Sequence, residues 1–382
     1  MLSRVSMRTK EGSALWVATI SDVHLGHRTT STQHILKNLD IAFPDNAETA
    51  KLDIIFINGD FFDRQLQLSD PNVIDISMWI NRFLRMCKKH NIKVRVLEGT
   101  PLHDWQQNAL FVTQNETGHI GCDLIYHKRL DIEYIADIGI HVLYVPDEWK
   151  SGPDDAWKDT CQRMSELGIT QVDYAMMHGY FPHQMPEMVT GGHDPERYRS
   201  IVRCAISVGH VHHQSQWENI FAQGSFDRLS QGYETDKGHY RFYDTGDIGP
   251  TAATFVVNAG AKVYTTIDCR GLSLEEFFGK LETCPDYPMD SYLRIHCRPE
   301  DPALAAMPVV KKKYPQYNWT TPKIDKQTLT VREVQEIVNS RFTPITLTRD
   351  NAVEILMRHI AKRTTNNSVL DRCGFLLNEA LR

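Results

Sequence analysis

Apolar and polar positions along the chain fall into two rhythms. Short, nearly unbroken apolar runs at 16–20, 52–57, 94–97, 174–177 and 205–208 are bounded by Gly, Asp and Asn. Runs of that length and boundary predict buried strands. Between them Ile76, Ile80, Phe83, Leu84 and Cys87 recur at spacings of three and four, which predicts one face of a helix. Trp157, Met164 and Leu167 predict another. Alternating strands and helices predict a layered α/β domain over residues 14–250.

After residue 250 the pattern changes. Residues 254–257, 261–267 and 292–297 predict strands, and Ser273-Leu-Glu-Glu276 is a capping box that opens a short helix. Residues 251–316 therefore read as a small α+β appendage. Residues 314–326, polar and holding Pro315 and Pro322, read as a linker. Beyond it, Thr330-Val-Arg-Glu333 is a second capping box, followed by Val334, Ile337 and Val338. Thr348 precedes a stripe of Val353, Leu356, Met357 and Ile360. Residues 325–382 thus read as short amphipathic helices. A self-packed tail is one reading, and docking on the parent domain or on a partner is the favoured one.

Composition narrows the class. The chain has 382 residues, 41% hydrophobic and 24% charged, ordinary for a globular protein. A net charge of −6 argues against coating nucleic acid by charge alone. It does not exclude a nucleic-acid enzyme, since bound divalent cations would reverse the local sign in an acidic cleft. Residues 1–11 are polar, with Arg4, Arg8 and Lys10, and carry no secretory pattern. No apolar stretch reaches the roughly 18 residues of a membrane span. The eight cysteines form no C-x-x-C pair, which predicts reduced thiols and a cytoplasmic setting.

The chemistry lies where the apolar runs end. They lead to Asp22 and His24, to Asp60, to His103 and Asp104, to His178, and to His210 and His212. Asp22 and His24 lie two apart, so an extended segment presents both on one side, as it does His210 and His212. Mixed Asp and His donors suit Mn²⁺, Fe²⁺ or Zn²⁺ better than Mg²⁺ alone. Two such ions about 3.5–4 Å apart hold a phosphoryl group and lower the pKa of a water toward about 7. Phosphoester hydrolysis is the natural reaction.

In this order D-x-H, G-D-x-x-D, G…H-D, H-G and G-H-x-H resemble the calcineurin-like metallophosphoesterases over residues 14–245. The resemblance implies a two-sheet α/β sandwich flanked by helices, with two divalent ions at its crest. Asp22, His24, Asp60 and His212 would hold the first, and Asp60, His178 and His210 the second. His103 falls at the family's catalytic histidine, which protonates the leaving oxygen, and Asp104 would orient it. The third motif departs from the family's G-N-H-D. Gly99-Thr-Pro-Leu-His-Asp104 carries two extra residues and no Asn. Thr100, a backbone carbonyl, Asn58 or water is left to fill that position.

Downstream, Gly224-Ser-Phe-Asp-Arg228, Gly232-Tyr-Glu234 and Gly238-His-Tyr240 resemble the SbcD-type DNA-repair nucleases. That resemblance implies a Mn²⁺-preferring, homodimeric exonuclease and endonuclease. Its appendage would cap DNA, and its C-terminal helices would dock a coiled-coil ATPase of the SbcC type. Arg228 is a candidate DNA contact, with a surface salt bridge as the equal alternative. Lys311, Lys312 and Lys313 are weaker candidates, a solvated helix end being preferred for them. Trp105 reads as core packing in preference to base stacking. A phosphatase of small nucleotides or phosphoproteins, and a scaffold that has lost its second ion, are the rival functions.

Overall fold

The computed structural model describes residues 14–147, 152–185, 191–230, 236–246, 252–321, 352–361 and 367–380. All five apolar runs are strands. The first six-stranded sheet joins β1 (Leu15–Ile20), β2 (Ile54–Asn58), β3 (Lys93–Leu97), β4 (Leu124–His127), β11 (Gly238–Asp244) and β12 (Ala252–Val257) in the order β12-β11-β1-β2-β3-β4. Strands β1 to β4 run parallel, and β11 and β12 close the edge antiparallel. The second sheet joins β5 (Asp131–Ile135), β6 (Ile140–Val145), β7 (Val172–Gly179), β8 (Val202–His210), β9 (Ser215–Trp217) and β10 (Ile220–Ala222) in the order β5-β6-β7-β8-β10-β9.

The central strands carry apolar residues on both faces because both faces are covered. On β2, Ile54 and Phe56 face the second sheet, where they meet Val142, Tyr144, Tyr174 and Met176. Their neighbours Ile55 and Ile57 face the helices Thr32–Ala42 and Asn72–Lys89. Ile76, Ile80, Phe83, Leu84 and Cys87 all lie buried on that second helix. The outer face of the second sheet is covered by Pro153–Leu167 and Pro195–Ile201. There Met164 is buried, while Leu167 at the helix end is exposed.

Two boundaries move. Strand β12 lies in residues assigned above to the appendage, yet it pairs with β11 from Gly238↔Val257 to Tyr243↔Ala252 and belongs to the first sheet. Residues 314–321 are no linker, because β15 (Asn318–Thr320) joins β13 (Tyr264–Asp268) and β14 (Tyr292–His296) in a parallel three-stranded sheet. Trp319 closes its core, donating from Nε1 to Tyr314 O at 3.0 Å. Helices Leu274–Glu282 and Pro302–Lys313 cover this sheet. The Ser273 box forms, with Glu276 N donating to Ser273 Oγ and Ser273 N to Glu276 Oε2 at 2.8 Å.

By contact density the chain divides into Met1–Pro322 and Lys323–Arg382. In the second unit Ala352–Ala361 and Asn367–Ala380 are helices. Leu356, Phe375 and Leu376 are exposed on them. The Thr330 box and Thr348 lie outside the described residues. All eight cysteines are free. Among the described residues no helix is long and apolar enough to cross a membrane.

Candidate metal centre

The carboxyl ends of β1, β2 and β3 from one sheet meet those of β7 and β8 from the other. Close approach there depends on glycine. A Cβ on Gly59 would lie 2.6 Å from Gly99 Cα and would overlap His178 Nδ1, and Gly59 also has φ +83°. A Cβ on Gly99 would overlap the backbone nitrogen of Asp60.

Asp22, His24, Asp60 and His210 have φ of 50°, 54°, 49° and 99°, the left-handed region that side chains avoid. Each such residue costs of the order of 1–3 kcal/mol and persists only where its surroundings impose it. Here Asp22 N donates to Gly59 O at 3.1 Å and His24 N to Asp60 O at 3.0 Å. Asp22 in turn accepts from His210 N through both carboxylate oxygens, at 2.9 and 3.0 Å.

Three donor groups result among the described residues: His24, Asp63 and His103 form one, and the other two hold the six ligands expected from the sequence. In the first of these two sets, His24 Nε2 lies 3.0 Å from His212 Nε2, and His212 Nε2 lies 3.6 Å from Asp22 Oδ1. In the second, Asp60, His178 and His210 each offer one atom within 4.8 Å of the others. Asp60 stands between the sets, with Oδ2 3.9 Å from His24 Nε2 and Oδ1 3.3 Å from His178 Nε2. Imidazole and carboxylate donors converging in this way, with Asp22, His24, Asp60 and His178 buried and His210 and His212 partly exposed, fit a divalent cation.

The ring of His178 is fixed by Asn58 O, which accepts from Nδ1 at 2.7 Å and leaves Nε2 toward the centre. Asn58 spends its amide on Ser207 Oγ at 2.8 Å, tying the two sheets together, so its nitrogen is committed away from the donors. Asp63, the second acid of G-D-x-x-D, lies with Oδ1 3.2 Å from His24 Nδ1. Lys237 donates from Nζ to His212 O at 2.9 Å. Neither role is visible in the sequence, although Asp63 stands in the motif.

His103 and Asp104 part company. His103 Nδ1 donates to Asp63 O at 2.6 Å, and its ring lies edge-on to His24 at 4.8 Å. Asp104 does not orient it. Its buried carboxylate instead accepts from Asp60 N at 2.9 Å, Phe62 N at 3.0 Å, Gly99 N at 2.8 Å and Asn108 Nδ2 at 2.7 Å. Trp105 is 52% exposed, which corrects the expectation that it packs in the core. It and Gln106 also have positive φ.

The candidate DNA contacts do not join this centre. Arg228 donates from Nη1 to Lys262 O at 3.2 Å, part of the seam between the appendage and the main domain. Asp227 beside it is buried and accepts from Asn38 Nδ2 at 2.7 Å and Lys262 N at 3.2 Å. Lys311, Lys312 and Lys313 form the last turn of Pro302–Lys313, where cations suit the helix dipole, and Lys313 pairs with Glu282 at 2.7 Å. Residues 232–234 lie outside the described residues.

Burial drives the His178 imidazole down, but the Asp60 charge and hydrogen bond outweigh it and hold its pKa up at about 10. Burial raises the Asp60 carboxyl, and the facing His178 brings it well below its usual range. Burial and the His178 charge lower His210. The folded value for His178 lies above the unfolded value of about 6.5. Its pairing therefore stabilises the metal-free protein fully below about pH 6.5 and fades as pH rises toward about 10. Thermal melts in EDTA from pH 6 to 10.5 are expected to show that decline in wild type and a flatter profile in His178→Gln. Parallel profiles would sink the assignment.

No family model matches the chain, and no curated protein matches it. Among solved structures, TT1561 of Thermus thermophilus is similar over 64% of this chain and 99% of its own, at 11% identity and a TM-score of 0.37. A second solved structure matches over the same shares at 11% identity and a TM-score of 0.38. At such scores neither likeness carries an argument, and the donor geometry stands by itself.

Proposed function

We propose that this chain is a dinuclear metal-dependent phosphodiesterase of the calcineurin-like kind, acting on DNA as an SbcD-type nuclease subunit. The observation that carries the metal part is the pair of donor sets sharing Asp60, with His103 alongside. Two divalent ions, Mn²⁺ foremost, would be held by Asp22, His24, Asp60 and His212 and by Asp60, His178 and His210. They would supply charge neutralisation at phosphate and a water acidic enough to react near neutral pH.

The chain's own residues do the rest. Asp60 spaces the two sets, and Asp63 steadies His24 through its carboxylate and His103 through its carbonyl. His103, half-buried, passes a proton to the departing 3′ oxygen. The exposed Trp105 ring stands two residues from His103, where an unpaired base can stack on it. The DNA substrate, the homodimer and the coiled-coil ATPase partner follow from the motif resemblance. The exposed Leu356, Phe375 and Leu376 support a docking role for the C-terminal helices.

The deciding experiment incubates the protein with Mn²⁺ and a single-stranded oligonucleotide, beside phosphopeptide and cyclic-nucleotide controls. Cleavage of the oligonucleotide is expected, and a chain ending at residue 324 should keep it while losing the ATPase partner. Brisk turnover of the controls without DNA cleavage would replace the nuclease reading by the phosphatase one.

A further inference from the structure

The second donor set has three residues where the family pattern supplies an Asn as well. The fourth position holds a hydroxyl. Thr100 Oγ1 lies 3.2 Å from Asp60 Oδ2, 3.2 Å from His178 Nε2 and 3.2 Å from His210 Nδ1. One oxygen is thus equidistant from His178 Nε2, His210 Nδ1 and the Asp60 carboxylate, the last through Oδ2, the oxygen on the His24 side.

That spacing is within hydrogen-bond range, and it is also one that a shared cation would require. Four donors about 2.0–2.1 Å from a tetrahedral ion stand about 3.3–3.4 Å apart. Adjacent donors of an octahedral ion at similar range stand about 2.8–3.0 Å apart. The observed 3.2 Å lies between the two. A hydroxyl placed only to hydrogen-bond Asp60 has no need to stand equally close to two imidazoles on another sheet.

The backbone explains how threonine reaches this place despite the altered motif. Thr100 N donates to Asp60 Oδ1 at 2.6 Å, which anchors the residue beside the bridging carboxylate. Thr100 O accepts from His103 N at 2.8 Å and from Asp104 N at 3.0 Å. The two extra residues, Pro101 and Leu102, are therefore absorbed as one helical turn. Thr100 begins that turn at the second donor set, and His103 ends it beside the first. Asn58 donates its Nδ2 to Ser207 Oγ at 2.8 Å, and no short contact ties its side chain to Asp60, His178 or His210 as the three contacts above tie Thr100.

We propose that the Thr100 hydroxyl is the fourth protein ligand of the second divalent cation, standing where the family pattern has an amide. The assignment rests on the two-ion reading above but not on the choice of substrate. It makes the site a carboxylate, two imidazoles and one neutral hydroxyl. The hydroxyl is a hard oxygen donor and adds no charge, so the ion would keep a net positive charge toward phosphate.

Calorimetric titration of the full-length, EDTA-stripped chain with MnCl₂ tests this without any activity measurement. Wild type is expected to take up two ions. Thr100→Val keeps the shape and the backbone bond to Asp60 but removes the oxygen. It is expected to weaken the second binding event by at least about 10–100-fold, leaving the first unchanged. Thr100→Ser restores the oxygen and should recover most of the loss. Should Thr100→Val fail to fold, a crystal of wild type grown with Mn²⁺ decides, since Oγ1 must approach the ion to about 2.0–2.2 Å. Two tight ions in Thr100→Val, or a Thr100 oxygen beyond bonding range in the crystal, would overturn the proposal alone. A single ion in wild type would overturn the two-ion reading with it.

Discussion

On the proposed nuclease reading, His103→Ser is expected to lower Mn²⁺-dependent DNA hydrolysis by about 10²–10⁴-fold, the usual contribution of a positioned proton donor. Metal content should stay at the wild-type level. The expectation follows from the tautomer. Asp63 O can only accept, so at 2.6 Å it fixes the hydrogen on Nδ1 and leaves Nε2 to exchange a proton with substrate. His24, Asp63 and His103 also lie close enough to be read as a cation site in their own right. Elemental analysis of the purified variant separates the two roles. If the bound manganese falls with the activity, His103 is a ligand and the proton-transfer assignment is wrong.

Asp104→Ala should behave in the opposite way, losing stability and metal together. The carboxylate gathers three backbone N–H groups and the Asn108 amide in a place that water does not reach. Each buried donor left without a partner costs about 1–3 kcal/mol, and a total loss of at least about 3 kcal/mol is expected. Two of those donors, Asp60 N and Gly99 N, hold the ends of β2 and β3 in register with the second donor set. Burial and the Asp60 and Glu98 charges push the Asp104 carboxyl up to about 7, against the pull of its N–H partners. Urea denaturation of the metal-free proteins measures the loss. A difference below about 1 kcal/mol would show that the loops are held by something else.

The strands are legible in the sequence because each carries apolar residues on both faces, a pattern that survives without knowledge of partners. Strand β12 is legible as a strand but not as a member of the first sheet. Its half-exposed residues do not encode which edge they pair with. The donors are legible as residue types at strand ends. Their backbone conformation is not, since Asp and His tolerate the left-handed region without announcing it. The role of Asp104 is hidden for a geometric reason. Neighbours on a helical turn point about 100° apart, so the residue after His103 faces inward while His103 faces the centre. Lys237 is hidden because it acts on His212 from 25 positions away, a distance that only the fold closes.

The left-handed backbone at Asp22, His24, Asp60 and His210 bears on how such a chain would drift. At these four positions glycine relieves strain of the order of 1–2 kcal/mol per residue that the native side chain imposes. Glycine would also lose what the side chains hold: Asp22 accepts from His210 N, Asp60 from Thr100 N, and buried His24 faces Asp63. The strain is thus locked in by contacts that reach across both sheets, so it cannot be released at one position without loosening its neighbours.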